Sequence, residues 1–239
     1  MKAMILAAGL GTRLKPWTLE HPKALVPVKG VPMLERVICS LREQGFDEIV
    51  VNVHHFGEQI VEFLSSRDFG VATYISDERE ELLDTGGGLV KASPLFGEEP
   101  VLVHNVDILS DADLGGLMDI HLSSGRDGTL LVSDRESSRK LIFGRDMELR
   151  GWHHLGEGRY RPESYMGAHD DREFAFSGIY VAGPAMREEM KKMFGEQKFP
   201  IMDYLLSERV ISTLAGVVQP GLRLIDIGKP DTLQQANLL

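Results

Sequence analysis

Cysteine is nearly missing from this sequence. The single residue Cys39, in a chain of 239, cannot close an internal disulfide. That usage fits a reducing compartment and predicts a cytoplasmic protein. Long apolar runs are missing too. No segment approaches the roughly 20 apolar residues that a membrane helix needs. The run Ala3–Ala8 is too short for a signal h-region and passes at once into glycine and charge. Basic clusters are also lacking. Asp and Glu number 36 against 26 Lys and Arg, for a net charge of −10. A nucleic-acid partner is therefore not expected. Fixed-period repeats, low-complexity segments and linkers do not occur.

What remains is an ordinary soluble composition, with 43% apolar and 26% charged residues. The length suits one large α/β domain spanning 1–239, as a monomer or homodimer. Strand signals at Lys2–Ala8, Glu48–Val53, Val71–Ile75, Val101–His104 and Thr129–Val132 alternate with helical spacing. The helical stretches are Met33–Gln44, Gly57–Ser65, Gly87–Ala92 and Ala112–Leu122. This alternation predicts a three-layer α/β/α Rossmann-like sheet, mixed but mostly parallel. After Ser133 the pattern loosens. Leu141–Phe143, Glu148–Trp152 and Glu173–Val181 read as antiparallel or edge strands. Residues 153–172 read as a long polar loop, and about 134–181 as an inserted substrate-side subregion. Helices at Pro184–Met193, Ile201–Glu208 and from Pro230, with strands at Thr213–Val218 and Leu222–Ile227, complete the reading.

The segment Leu6-Ala7-Ala8-Gly9-Leu10-Gly11-Thr12-Arg13 follows the first strand, where open α/β sheets bind ligands. A dinucleotide fingerprint is excluded, because position 14 is Leu and the second strand carries no acidic end. A Walker loop is excluded because Gly-Lys-Ser/Thr is absent. What is left is Gly-x-Gly-Thr-Arg, then Pro16, then Pro22-Lys23-Ala24-Leu25-Val26-Pro27-Val28. Two strands end in carboxylates, at Asp107 and Asp226, which could converge on one hard cation.

Over residues 3–34 this pattern resembles the sugar-1-phosphate nucleotidyltransferases, also called NDP-sugar pyrophosphorylases. The resemblance implies a nucleotide-diphospho-sugar transferase fold. It also implies transfer of a nucleoside monophosphate from an NTP to a sugar-1-phosphate, with release of pyrophosphate. The nucleophile is already ionised, so catalysis is positioning plus charge stabilisation. The resemblance assigns Arg13 to the departing phosphates and Lys23 to the phosphates at the reaction centre. It places Mg²⁺ on Asp107 and Asp226 and the substrates against Ala8, Gly9, Gly11, Thr12 and Asn105. In one departure, Val106 stands where many members have Gly.

Asp84-Thr85-Gly86-Gly87-Gly88 is similar to the short single-domain uridylyltransferases acting on N-acetylmuramate-1-phosphate, which implies a cell-wall role. It also resembles mannose-1-phosphate guanylyltransferase-like proteins. Gly86, Gly87 and Gly88 are thus candidate base and sugar contacts. Ser177 and Gly178 match a Ser/Thr-Gly pair that faces the sugar. No Glu-Lys-Pro stretch precedes them, which weighs against the glucose-1-phosphate thymidylyltransferase group. The second phosphate cation is left to Arg172 or the 153–172 loop. No hexapeptide β-helix follows the Asp226 motif. Alternatives are a glucose-1-phosphate-type enzyme, a phosphocholine cytidylyltransferase-like enzyme and a catalytically dead regulatory domain. Asp111 and Asp113 read as helix caps, and Asp77–Glu81 as solvated surface.

Overall fold

The computed structural model describes residues 1–238. The chain begins with β1 (Lys2–Leu6), a loop with three one-turn helices, the hairpin β2 (Pro27–Val28) and β3 (Val31–Pro32), then α1 (Met33–Glu43). It continues through β4 (Glu48–Val53), α2 (Gly57–Ser65), β5 (Ala72–Asp77), α3 (Asp84–Ala92), β6 (Val101–Asn105), β7 (Ile108–Ser110), α4 (Leu114–Ser124) and β8 (Gly128–Ser133). β9 (Arg139–Phe143), β10 (Leu149–His154), β11 (Arg159–Arg161) and β12 (Arg172–Ala182) follow. α5 (Pro184–Phe194), α6 (Ile201–Leu205), β13 (Leu214–Val218), β14 (Leu224–Asp226) and α7 (Pro230–Leu238) complete it.

β5, β4, β1 and β6 lie side by side and parallel. β12 joins β6 antiparallel, and β8 and β13 extend the sheet beyond it. The sheet is mixed around a parallel centre, as the sequence predicts. β1 explains why such a strand reads as continuously apolar. Ala3, Ile5 and Ala7 face one core, with Leu34, Ile38 and Leu41 of α1. Met4 and Leu6 face a second core, with Leu89 of α3 and Met186 of α5. A strand covered on both faces cannot alternate apolar with polar. Helices therefore cover both faces, giving three layers.

The strand order carries the functional consequence. The chain steps outward from β1 to β4 to β5, then returns to β6 on the other flank of β1. The order reverses at β1, and a crevice opens at the carboxyl ends of β1, β4 and β6. The long β12 loses register between Phe176 and Tyr180. Its first residues pair with β9, and β9, β10 and β11 form an antiparallel edge. The expected loop at 153–172 is thus partly hairpin, because Trp152, His153 and His154 pair with Arg161, Tyr160 and Arg159. Among the described residues, no helix is long and apolar enough to cross a membrane.

Candidate active site

At the crevice lies an open cavity of about 260 Å³, lined by Ala8, Gly9, Lys23, Asn52, Leu82, Asp84, Thr85, Asn105 and Asp107 among others. Ala8 and Gly9 come from the end of β1. Asn105 and Asp107 come from the end of β6. Lys23 reaches across from its own one-turn helix (Lys23–Leu25), and its ammonium donates to the Asp107 carboxylate. Both side chains are largely buried.

Gly11 shapes the approach to Lys23. It is left-handed, at φ 62°, and a Cβ there would lie 2.8 Å from Thr18 and 2.9 Å from the Lys23 Cβ. Its carbonyl accepts the Thr18 hydroxyl at 2.9 Å and the Leu14 amide at 2.9 Å. Gly11 therefore folds the loop over Lys23 but does not line the cavity. Thr12 stands exposed on the following turn with Arg13.

Asp226 reaches the site by strand pairing. β14 runs antiparallel to β7, with Asp226 opposite Ile108. The Ile227 amide donates to the Asp107 carbonyl at 2.9 Å. The space above Gly228 shows the result. A Cβ at Gly228 would lie 2.8 Å from Arg13 Nη2, 2.8 Å from Asp226 Oδ1 and 3.0 Å from Asp107 Oδ2. Two carboxylates and a guanidinium thus surround one point, although Arg13 and Asp226 are 213 positions apart in the sequence. Among the described residues no three His, Cys, Asp or Glu side chains form a metal cluster. Two converging carboxylates fit a magnesium ion that completes its shell with phosphate oxygens and water.

Several expected contacts turn out differently. Gly86, Gly87 and Gly88 are buried behind the cavity wall and do not line it. A Cβ on Gly86 would lie 2.3 Å from the Phe199 ring, and one on Gly87 would lie 2.4 Å from the Gln197 carbonyl. The Gly86 and Gly87 amides donate to the Phe199 carbonyl at 3.0 and 3.2 Å. These glycines admit close packing of the 197–199 segment, and their amides are committed. The residues just before them, Leu82, Asp84 and Thr85, face the cavity instead. Asp84 holds a left-handed φ of 62° without being glycine.

Ser177 is also corrected. It is buried, and its hydroxyl donates to the Leu131 carbonyl at 2.6 Å and accepts the Ile179 amide at 3.1 Å. It stitches β12 to β8 and is not open to a sugar. Gly178 acts indirectly, since a Cβ there would strike Asn105 Nδ2 at 2.6 Å. Arg172 stacks near Phe174 and Met147, away from the cavity. Asp113 caps α4 through the Gly116 amide, whereas Asp111 pairs with Arg223. That pairing holds the Asp111 carboxyl below its usual range.

Asn52 was passed over by sequence reasoning, and so was Glu78, read as solvated surface. Glu78 is fully buried. The available signal for Asn52 was a lone amide inside the apolar run Ile49–Val53, whereas Glu78 sits in the acidic run Asp77–Glu81 with no local mark that separates it from its solvated neighbours.

The family model for nucleotidyl transferases matches residues 2–145. The chain belongs to this family. The nucleotidyltransferase is 34% identical, over 80% of its length, to the N-acetylmuramate alpha-1-phosphate uridylyltransferase of Neisseria meningitidis, and covers 86% of that protein. It is 28% identical, over 99% of its length and 96% of the relative, to the D-glycero-alpha-D-manno-heptose 1-phosphate guanylyltransferase of Aneurinibacillus thermoaerophilus. Its fold matches the crystal structure of HddC from Yersinia pseudotuberculosis with a TM-score of 0.79 at 22% identity, covering 99% and 98% of the two chains.

Proposed function

We propose that this nucleotidyltransferase transfers uridine monophosphate from UTP to N-acetylmuramate-1-phosphate, in the cytoplasm, in service of cell-wall synthesis. The observation that carries the reaction class is the convergence of Arg13, Asp107 and Asp226 around one point beside the cavity. The observation that favours this acceptor is the 34% identity to the Neisseria enzyme over most of both chains.

In this reading the sugar phosphate oxygen attacks the α-phosphorus, the bond to the β-phosphate oxygen breaks, and pyrophosphate leaves. Arg13 holds the departing phosphates, and Lys23 the phosphates at the reaction centre. Both supply charge where it develops, without proton transfer. Asp107 and Asp226 would hold Mg²⁺, which when bound neutralises phosphate charge. Ala8, Gly9 and Asn105 bound the nucleotide side of the cavity. For the acceptor phosphate we propose Arg135 and Lys229, which line a second cleft together with Asp226. The ten-stranded sheet and its helices act as a single catalytic domain, with 134–181 on the acceptor side.

A second reading has its own support. Relatives aligned with nearly the whole chain are guanylyltransferases for manno-configured sugar phosphates. Phosphocholine as acceptor is disfavoured, because no aromatic ring lines the cavity to cage a quaternary ammonium. A dead regulatory domain is disfavoured by the retention of Arg13, Lys23, Asp107 and Asp226.

Pyrophosphate release measured with Mg²⁺ over four nucleoside triphosphates against several acceptors tests the reading. The acceptors are N-acetylmuramate-1-phosphate, mannose-1-phosphate, glucose-1-phosphate and phosphocholine. The strongest signal is expected for UTP with N-acetylmuramate-1-phosphate. A strong GTP signal with the mannose ester would establish the second reading, and an empty grid from folded protein would overturn both.

A further inference from the structure

We propose that Asn52 and Glu78 form a buried positioning relay that fixes the two walls of the nucleotide cavity against each other. The function given to those walls rests on the reaction proposed above. Asn52 sits inside β4 and is 2% exposed, and Glu78 is 0% exposed. Asn52 Oδ1 accepts the Ala7 amide at 2.6 Å and the Ala8 amide at 3.3 Å. Asn52 Nδ2 donates to Glu78 Oε1 at 2.8 Å. Glu78 Oε2 accepts the Leu83 amide at 3.1 Å. One end of this chain of bonds holds the turn carrying Ala8 and Gly9. The other holds the turn carrying Leu82, Asp84 and Thr85. These two turns are opposing parts of the cavity lining.

The donor and acceptor pattern admits one arrangement. The carboxylate only accepts, so the Asn52 amide nitrogen must face it and the amide oxygen must face Ala7. Every polar atom of the pair is then satisfied, as burial demands. The third glycine of the triplet also finds its reason here. A Cβ on Gly88 would lie 2.6 Å from Glu78 Oε1 and 3.0 Å from Asn52 Nδ2. Gly88 is glycine because the relay passes against its Cα.

The pattern supplies a charge-swap test. N52D sets a carboxylate oxygen against the Glu78 carboxylate. E78Q sets an amide nitrogen against either the Asn52 amide or the Leu83 amide. N52D/E78Q reverses the donor between the two positions and restores every bond, with the net charge unchanged.

Two readouts are followed. One is KM for the nucleoside triphosphate and for the sugar phosphate in the pyrophosphate assay. The other is amide hydrogen exchange of the peptide spanning residues 3–12, which reads out whether or not turnover occurs. Each single variant is expected to raise the nucleotide KM and speed exchange by about tenfold, the scale of one broken buried hydrogen bond. The sugar-phosphate KM is expected to change far less. The double variant is expected to recover both to within about threefold. G88A, which crowds the relay without removing either partner, is expected to give the same exchange signature if the single variants fold poorly.

Single variants indistinguishable from wild type, or a double variant no better than the singles, would overturn the relay. A wild-type chain that releases no pyrophosphate from any pair overturns the proposed reaction alone, and the exchange series then decides the relay.

Discussion

Arg13 and Asp107 reach one point in space from opposite chemistries. Arg13 is exposed on its turn and makes no ion pair among the described residues. Its loss removes little packing, so any effect on turnover reports charge stabilisation. Asp107 accepts from Lys23 and stands beside Asp226 around Gly228. Arg13→Ala and Asp107→Ala are each expected to lower kcat by at least about a hundredfold, the scale of one preorganised electrostatic contact. Arg13→Ala is expected to leave the melting temperature unchanged. Steady-state rates with a parallel thermal melt check both, and a near-normal rate in either variant removes that residue from the proposed mechanism.

At the scale of elements, α3 shows how packing can resemble recognition. Its first turn is pressed onto the 197–199 segment, with Gly86 against the Phe199 ring. Phe199 is itself buried and stacked on Phe194 at 4.2 Å. Gly86→Ala therefore has no free volume to enter and is expected to cost about 1–3 kcal/mol by overpacking. Gly86→Ala combined with Phe199→Leu is expected to regain part of that loss. Urea melts of the two variants measure it, and a neutral Gly86→Ala would mean that α3 is loosely held.

The same element marks the limit of what the sequence made legible. α1 and α2 were readable because burial of one face against the sheet imposes a helical periodicity, and β4 because burial on both faces leaves a nearly continuous apolar run. The Arg13–Lys23 loop and the Asp107 and Asp226 strand ends stood out as candidates because residue type, glycine placement and strand ends coincide, and the fold brings Arg13, Asp107 and Asp226 together around Gly228. A glycine triplet reports close approach but not the neighbour that approaches. Ser177 was misread because the register shift in β12, invisible locally, turns its hydroxyl inward to Leu131. Glu78 was misread because an acidic run looks solvated until a strand 26 positions earlier supplies an amide to bury it.

Over the whole molecule, buried titratable groups set how stability responds to acid. His104 lies inside β6, 3% exposed, and burial lowers its pKa from 6.5 to about 4. His121, packed under β8 with its ring against Thr129, is shifted in the same direction by burial. The unfolded chain binds these protons more readily, so stability falls as pH drops from about 6.5 towards 4. Glu78 works in the opposite sense, because burial raises its pKa and its contribution is lost as pH rises. Asp77, held near 2 by Arg79, contributes only under more acidic conditions. Above about 4.5 Glu78 therefore opposes the two histidines, and a variant that removes one histidine isolates that histidine's share. For His104 the full shift is worth up to about 3 kcal/mol. His104→Gln, which retains a polar side chain but does not titrate, is expected to flatten the difference in unfolding free energy between about pH 7 and pH 5. Urea titrations of wild type and variant at those two values check it. An unchanged pH slope would mean that the His104 ring takes up its proton as readily in the fold as in the unfolded chain, at odds with a side chain only 3% exposed.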